Sequence, residues 1–128
     1  MDDECQGKRR ILLIEEKADI RRFTARVLSL EGYEVLQAVS AEEGLRVARN
    51  APGISVVLLG LELSNHEGWK LLKEFRNDPE LSGVPIVVFS IYALPWHQSK
   101  ALRMGASAYL TMPTGVSELK KTVAAVLH

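Results

Sequence analysis

Disulfide chemistry is excluded at the outset, because this chain of 128 residues has one cysteine, Cys5, placed before the first apolar segment. It has no partner for a bridge or a Cys-based metal site, and an ordinary exposed thiol is expected. Net charge is lacking as well: 16 basic residues balance 16 acidic ones. The global attraction on which nucleic-acid or anionic-membrane binding leans is therefore missing, and neither partner is expected. Long apolar runs are missing too. The longest, Ile54 to Leu61 and Val84 to Phe89, fall well short of the roughly 20 residues needed to span a bilayer. The chain begins Met1-Asp2-Asp3-Glu4, acidic where a secretory leader is basic, so a cytoplasmic location is expected. A Gly-rich phosphate loop, a Cys or Ser nucleophile with a His partner, internal repeats and low-complexity tracts are all absent, and an enzyme is not expected.

What is present is the composition of one ordinary globular domain, 47% hydrophobic and 25% charged, on a chain too short for two. Residues 1–8 read as a polar leader and 9–128 as the domain. Ile11-Leu12-Leu13-Ile14 is a continuous apolar stretch, the mark of a strand buried on both faces. Ala18 to Glu31 spaces Ile20, Phe23, Val27, Leu28 and Leu30 near helical period before Gly32 stops it. Tyr33 to Val39 favours strand, and Ser40-Ala41-Glu42-Glu43 is a capping box that opens a helix to about Asn50. Beyond the turn Ala51-Pro52-Gly53, a strand over Ile54 to Leu59 leads to a helix from Gly68 to Asn77 with Trp69, Leu71, Leu72 and Phe75 inward. A strand over Ile86 to Ser90, a helix from Pro95 to about Met104, a strand over Ala108 to Thr111 and a helix from Val116 to Leu127 complete the chain.

Five strands alternating with five helices imply a parallel sheet covered on both faces. Ligands in such sheets bind beyond the carboxyl ends of the strands, which places Glu15, Glu16, Gly60, Ser90 and Thr111-Met112 at one edge. Chemistry, if there is any, belongs there.

The segment Val56-Val57-Leu58-Leu59-Gly60-Leu61-Glu62-Leu63-Ser64-Asn65-His66-Glu67-Gly68 resembles the third strand and following loop of the two-component response-regulator receiver domain, and the resemblance runs from Ile11 to about Leu127. It implies a flavodoxin-like α/β fold, (βα)5 with strand order 2-1-3-4-5. It also puts Gly60 where the family carries its phosphate-accepting Asp. Met112, in Tyr109-Leu110-Thr111-Met112-Pro113, stands where the family carries the Lys that contacts the phosphoryl group. The Met112-Pro113 bond is cis if the family's habit holds, whereas a generic Met-Pro bond would be trans.

A phosphorylatable receiver needs a cation held by acidic side chains, an attacking Asp, and Lys with Thr or Ser on the phosphoryl oxygens. Glu15 and Glu16 match the acidic pair, leaving at most weak Mg2+ affinity. Gly60 supplies no nucleophile, and losing one Asp and one Lys leaves the local charge unchanged. Met112 is expected to lie over the gap at Gly60 and plug a drier pocket, Met being suited to irregular apolar space. Ser90 matches the hydroxyl drawn toward phosphate on activation; here a loop cap to backbone is expected. Ile91, small in the family, is expected to close the pocket further. In the loop, Glu62, His66 and Glu67 hold metal-ligating atoms without a recognised spacing, and a solvated loop is the expectation.

Tyr109 matches the aromatic whose inward or outward rotamer reports phosphorylation, and is expected here as a fixed part of an interaction face. Trp96 and His97, beside Tyr92, Leu94 and Pro95, form an apolar group where the family is often charged; Trp96 either anchors a partner or folds back onto the sheet. The resemblance makes Trp96, Lys100, Arg103, Tyr109 and Lys120 the candidate face for a histidine kinase, a downstream effector or a second copy of the chain. The expected function is a phosphorylation-independent receiver acting by protein contact in a bacterial pathway, with a metal- or ligand-controlled switch as the alternative.

Overall fold

A computed structural model describes residues 8–64, 67–91 and 94–127; the readings placed on Cys5, His66 and Tyr92 fall outside them. The elements run β1 (Arg10–Ile14), α1 (Ala18–Leu30), β2 (Glu34–Ala38), α2 (Ala41–Asn50), β3 (Ile54–Gly60), α3 (Glu67–Asn77), β4 (Ile86–Ser90), α4 (Pro95–Arg103), β5 (Ala108–Thr111) and α5 (Val116–Leu127). All pairings are parallel, in the order β2-β1-β3-β4-β5, the flavodoxin-like arrangement.

The three central strands are apolar because both of their faces are covered. Side chains on β1, β3 and β4 alternate between two clusters. Leu12, Ile14, Val57, Leu59, Ile86 and Val88 meet α2, α3 and α4, including Leu71, Leu72 and Phe75. Ile11, Leu13, Val56, Leu58, Val87 and Phe89 meet α1 and α5, including Leu28, Leu119 and Val123. Leu71, Leu72 and Phe75 are fully buried, each contributing about 1.5–3 kcal/mol of apolar burial. The edge strands β2 and β5 are more exposed and carry the polar Glu34, Gln37 and Thr111.

Helix ends follow local chemistry. Ser40 Oγ accepts from Glu43 N–H at 3.1 Å, and Glu43 Oε1 accepts at 2.8 Å from Val39 N–H, one residue before the cap itself. Such a cap contributes about 1 kcal/mol. At the other end of its preceding helix, α1 stops at Gly32, whose φ of 96° lets its N–H reach Ser29 O and Tyr33 N–H reach Leu28 O, a Schellman closure.

The inner face of α1 differs from the expected one. Thr24, Ala25, Val27 and Leu28 are buried, while Phe23 and Leu30 are exposed. This helix turns the small Thr24 and Ala25 inward together with Val27 and Leu28.

Candidate functional site

Hydrogen bonds beyond the strand ends assemble the carboxyl edge. Glu15 N–H donates to Ala38 O at 3.0 Å, Leu61 N–H to Phe89 O at 3.0 Å and Met112 N–H to Ser90 O at 2.7 Å. Parallel pairing thus continues one residue past β1, β3 and β5, which brings Glu15, Gly60, Ser90 and Met112 to a common edge as expected. The loop after β1 is tied down by Arg21, whose Nη1 donates to the carbonyls of Glu15 at 3.0 Å and Glu16 at 3.2 Å.

The acidic pair is split between two environments. Glu15 is buried and its Oε2 accepts from Lys17 N–H at 2.8 Å. Burial pushes its carboxyl above the usual range, the Lys17 amide opposes that, and the like charges of Glu62 and Glu16 add to the rise. Glu16 is exposed and turned outward: Oε1 accepts from Ser64 N–H at 2.9 Å, and Ser64 Oγ lies 2.9 and 2.8 Å from Oε1 and Oε2. Those bonds from Ser64 hold its carboxyl below the usual range.

Gly60 closes β3 opposite Phe89. A Cβ placed there would collide with Glu15 Oε1 and lie 3.3 Å from Glu15 Cδ and 3.4 Å from Ile14 O. Glu15, and not Met112, therefore takes this space. Met112 instead packs against the α1–α5 cluster, because the two-residue period of β5 puts it on the same side as Leu110. The Met112–Pro113 peptide is cis.

Ser90 is fully buried, and among the described residues its hydroxyl is engaged by a side chain from the loop after β3. Ser90 Oγ donates to Glu62 Oε2 at 2.5 Å, while Glu62 Oε1 accepts from Ile91 N–H at 3.1 Å. The Glu62 side chain is thus folded back onto the end of β4 and not spread in solvent with Glu67, which begins α3. Ile91 does not close the pocket: the residue is 53% exposed, and it serves the site through its N–H. Tyr109 is half-buried against the α2–α4 cluster and hydrogen-bonds Ser90; burial pushes its phenol up.

Glu62 joins the pocket although its place in a polar loop predicts a solvated side chain. Its signal was a carboxylate two positions past one strand end, beside a strand that ends in a hydroxyl. Gly68, by contrast, is explained by contact: a Cβ there would come within 2.5 Å of Leu61 O and 2.6 Å of Leu61 Cα, so α3 can start against that backbone only without a side chain.

The proposed interaction face is dispersed in its commitments. Trp96 points outward, 57% exposed, with its ring stacked 3.7 Å from that of the buried His97. Arg103 is exposed. Lys100 places Nζ 4.4 Å above the ring of Trp69, and Lys120 pairs with Glu31 at 3.2 Å. Among the described residues, no group of three or more His, Cys, Asp or Glu is placed to hold a metal ion, and no helix is long and apolar enough to cross a membrane.

Residues 11–124 match the response regulator receiver domain, and the chain belongs to that family. It is 31% identical over 122 residues to a probable transcriptional regulator, ycf27, of Porphyridium aerugineum, covering 94% of this chain and 49% of that protein. Protein PilH of Pseudomonas aeruginosa is 29% identical, with 92% and 97% of the two chains covered. The crystal structure of a CheY-like response regulator receiver domain protein from Methanospirillum hungatei superposes with a TM-score of 0.84 at 28% identity, over 94% of both chains. The chain spans about half the length of several curated relatives it matches.

Proposed function

We propose that this receiver domain has given up aspartyl phosphorylation and acts as a protein-interaction module in two-component signalling. The observation that carries the reading is at the end of β3, where Gly60 has no side chain and the space for one is filled by Glu15. With no carboxylate there, nothing attacks phosphorus. Met112, turned to the α1–α5 cluster, supplies no cation to the site either. Output then depends on contact through α4, β5 and α5, where exposed Trp96 and Arg103 are the anchors offered to a kinase, an effector or a second copy. Two observations weigh against control by a metal: Glu16 is spent on Ser64 and Glu15 on the Lys17 amide.

Acetyl phosphate with magnesium, followed by intact-mass measurement, tests the reading. No phosphoryl adduct is expected. An alkali-labile adduct on the wild-type chain overturns it.

A further inference from the structure

We propose that Glu62 is a built-in anion, seated on the donors at the end of β4 in place of any external oxyanion and fixing the Ser90–Tyr109 pair in one arrangement. The inference deepens the reading above and rests on it, since a domain that cycled through a phosphoryl group would need those donors free.

The geometry is that of an occupied anion seat. Ser90 Oγ–H and Ile91 N–H are donors from consecutive residues, and one carboxylate takes both, at 2.5 Å from Oε2 and 3.1 Å from Oε1. A carboxylate is a two-oxygen acceptor, and hydrogen bonds to an ionised acceptor are short and strong. Ser90 is fully buried, so the alternative partner, bulk water, is not at hand.

Proton counting extends the effect to Tyr109. Ser90 has one hydroxyl proton and an ionised Glu62 only accepts, so that proton goes to Glu62. With that proton committed, the Ser90 oxygen keeps lone pairs that can accept from the phenol O–H of its neighbour Tyr109. The chain Tyr109 to Ser90 to Glu62 has one direction, and the carboxylate sets it. With its ring against the α2–α4 cluster, Tyr109 is held inward at the strand that borders the proposed interaction face. The carboxylate thus does from within the chain what a bound oxyanion would do from outside, and does so permanently.

Amide and aromatic NMR spectra of the full chain, wild type against Glu62→Ala and Glu62→Gln, test this with inorganic phosphate as the probe. In Glu62→Ala the Ser90 and Ile91 amides and the Tyr109 ring are expected to shift. Phosphate is expected to return the two amides toward their wild-type positions at least about tenfold more tightly than it perturbs wild type. Glu62→Gln, which keeps one acceptor oxygen, is expected to shift less, and it carries the comparison if Glu62→Ala does not fold. Unchanged Tyr109 resonances, or equal phosphate response in wild type and variant, or no response in either, overturn the proposal. Phosphorylation of wild type by acetyl phosphate overturns the proposed function instead, so the two failures are distinguishable.

Discussion

Glu15 occupies the space that a side chain at Gly60 would need, its Oε1 being the nearest atom to that position and its Cδ lying at 3.3 Å. The two residues are complementary: β3 ends without a side chain, and β1 lends one to the vacated volume. Restoring the family's aspartate is therefore not a neutral change. Gly60→Asp is expected to lower stability by about 1–3 kcal/mol at neutral pH, because it sets a second carboxylate against one already desolvated. Gly60→Ala displaces only the end of a flexible side chain and should lose less than about 1 kcal/mol. Urea unfolding of both variants separates charge from volume, and the Asp deficit should shrink as pH falls to about 4.

Glu15 also sets a pH dependence whose sign follows from its raised carboxyl. Its contribution is fully present below the unfolded value of 4.5 and is lost as pH rises through the higher folded value. Glu16, held low by Ser64, acts oppositely: its contribution is present above 4.5 and lost below, as pH falls through its folded value. The two windows do not overlap. Glu15→Gln should therefore be more stable than wild type at neutral pH, with the gap closing as pH is lowered to 4.5. Denaturation midpoints across that range check it; a gap that widens on acidification contradicts the buried-acid account.

Much of the fold was legible because the central strands are unbroken apolar runs whose two faces the helices must cover. On α1 the spacing locates Val27 and Leu28, which are buried, but size alone is no guide to the rest of the face, where Thr24 and Ala25 are buried and Phe23 and Leu30 are not. At the site, the period-two rule places Met112 with Leu110 and away from the Gly60 gap. Glu62 is harder to read for a different reason. A glutamate in a polar loop reads as solvated, and only the adjacency of the β3 and β4 ends turns it onto Ser90.

Lys100 and Trp69 supply a test of how α4 is held. With Nζ 4.4 Å above the ring, Lys100→Met should cost about 0.5–1 kcal/mol. A double-mutant cycle with Trp69→Leu should recover a coupling of that size. Additive losses would mean that the contact holds nothing. Trp96→Ala, removing an outward ring, should change stability by no more than about 0.5 kcal/mol.

Re-arming the domain needs three changes and not two. Gly60→Asp with Met112→Lys returns the nucleophile and the cation that the receiver resemblance assigns to these positions, the lysine stem lying along the surface Met112 now covers. Yet Ser90 Oγ and Ile91 N–H remain held by Glu62 at 2.5 and 3.1 Å, so neither of these two donors is open to an incoming group. The double variant is expected to show no beryllofluoride-dependent NMR shifts at Ser90, Ile91 and Tyr109 in the presence of magnesium. Adding Glu62→Ala frees both donors and removes one negative charge facing Glu15, so the triple variant should respond at a concentration about tenfold or more below any response of the double. Response of the double variant alone would mean that Glu62 yields its place readily and that the missing aspartate and lysine are the whole of the difference.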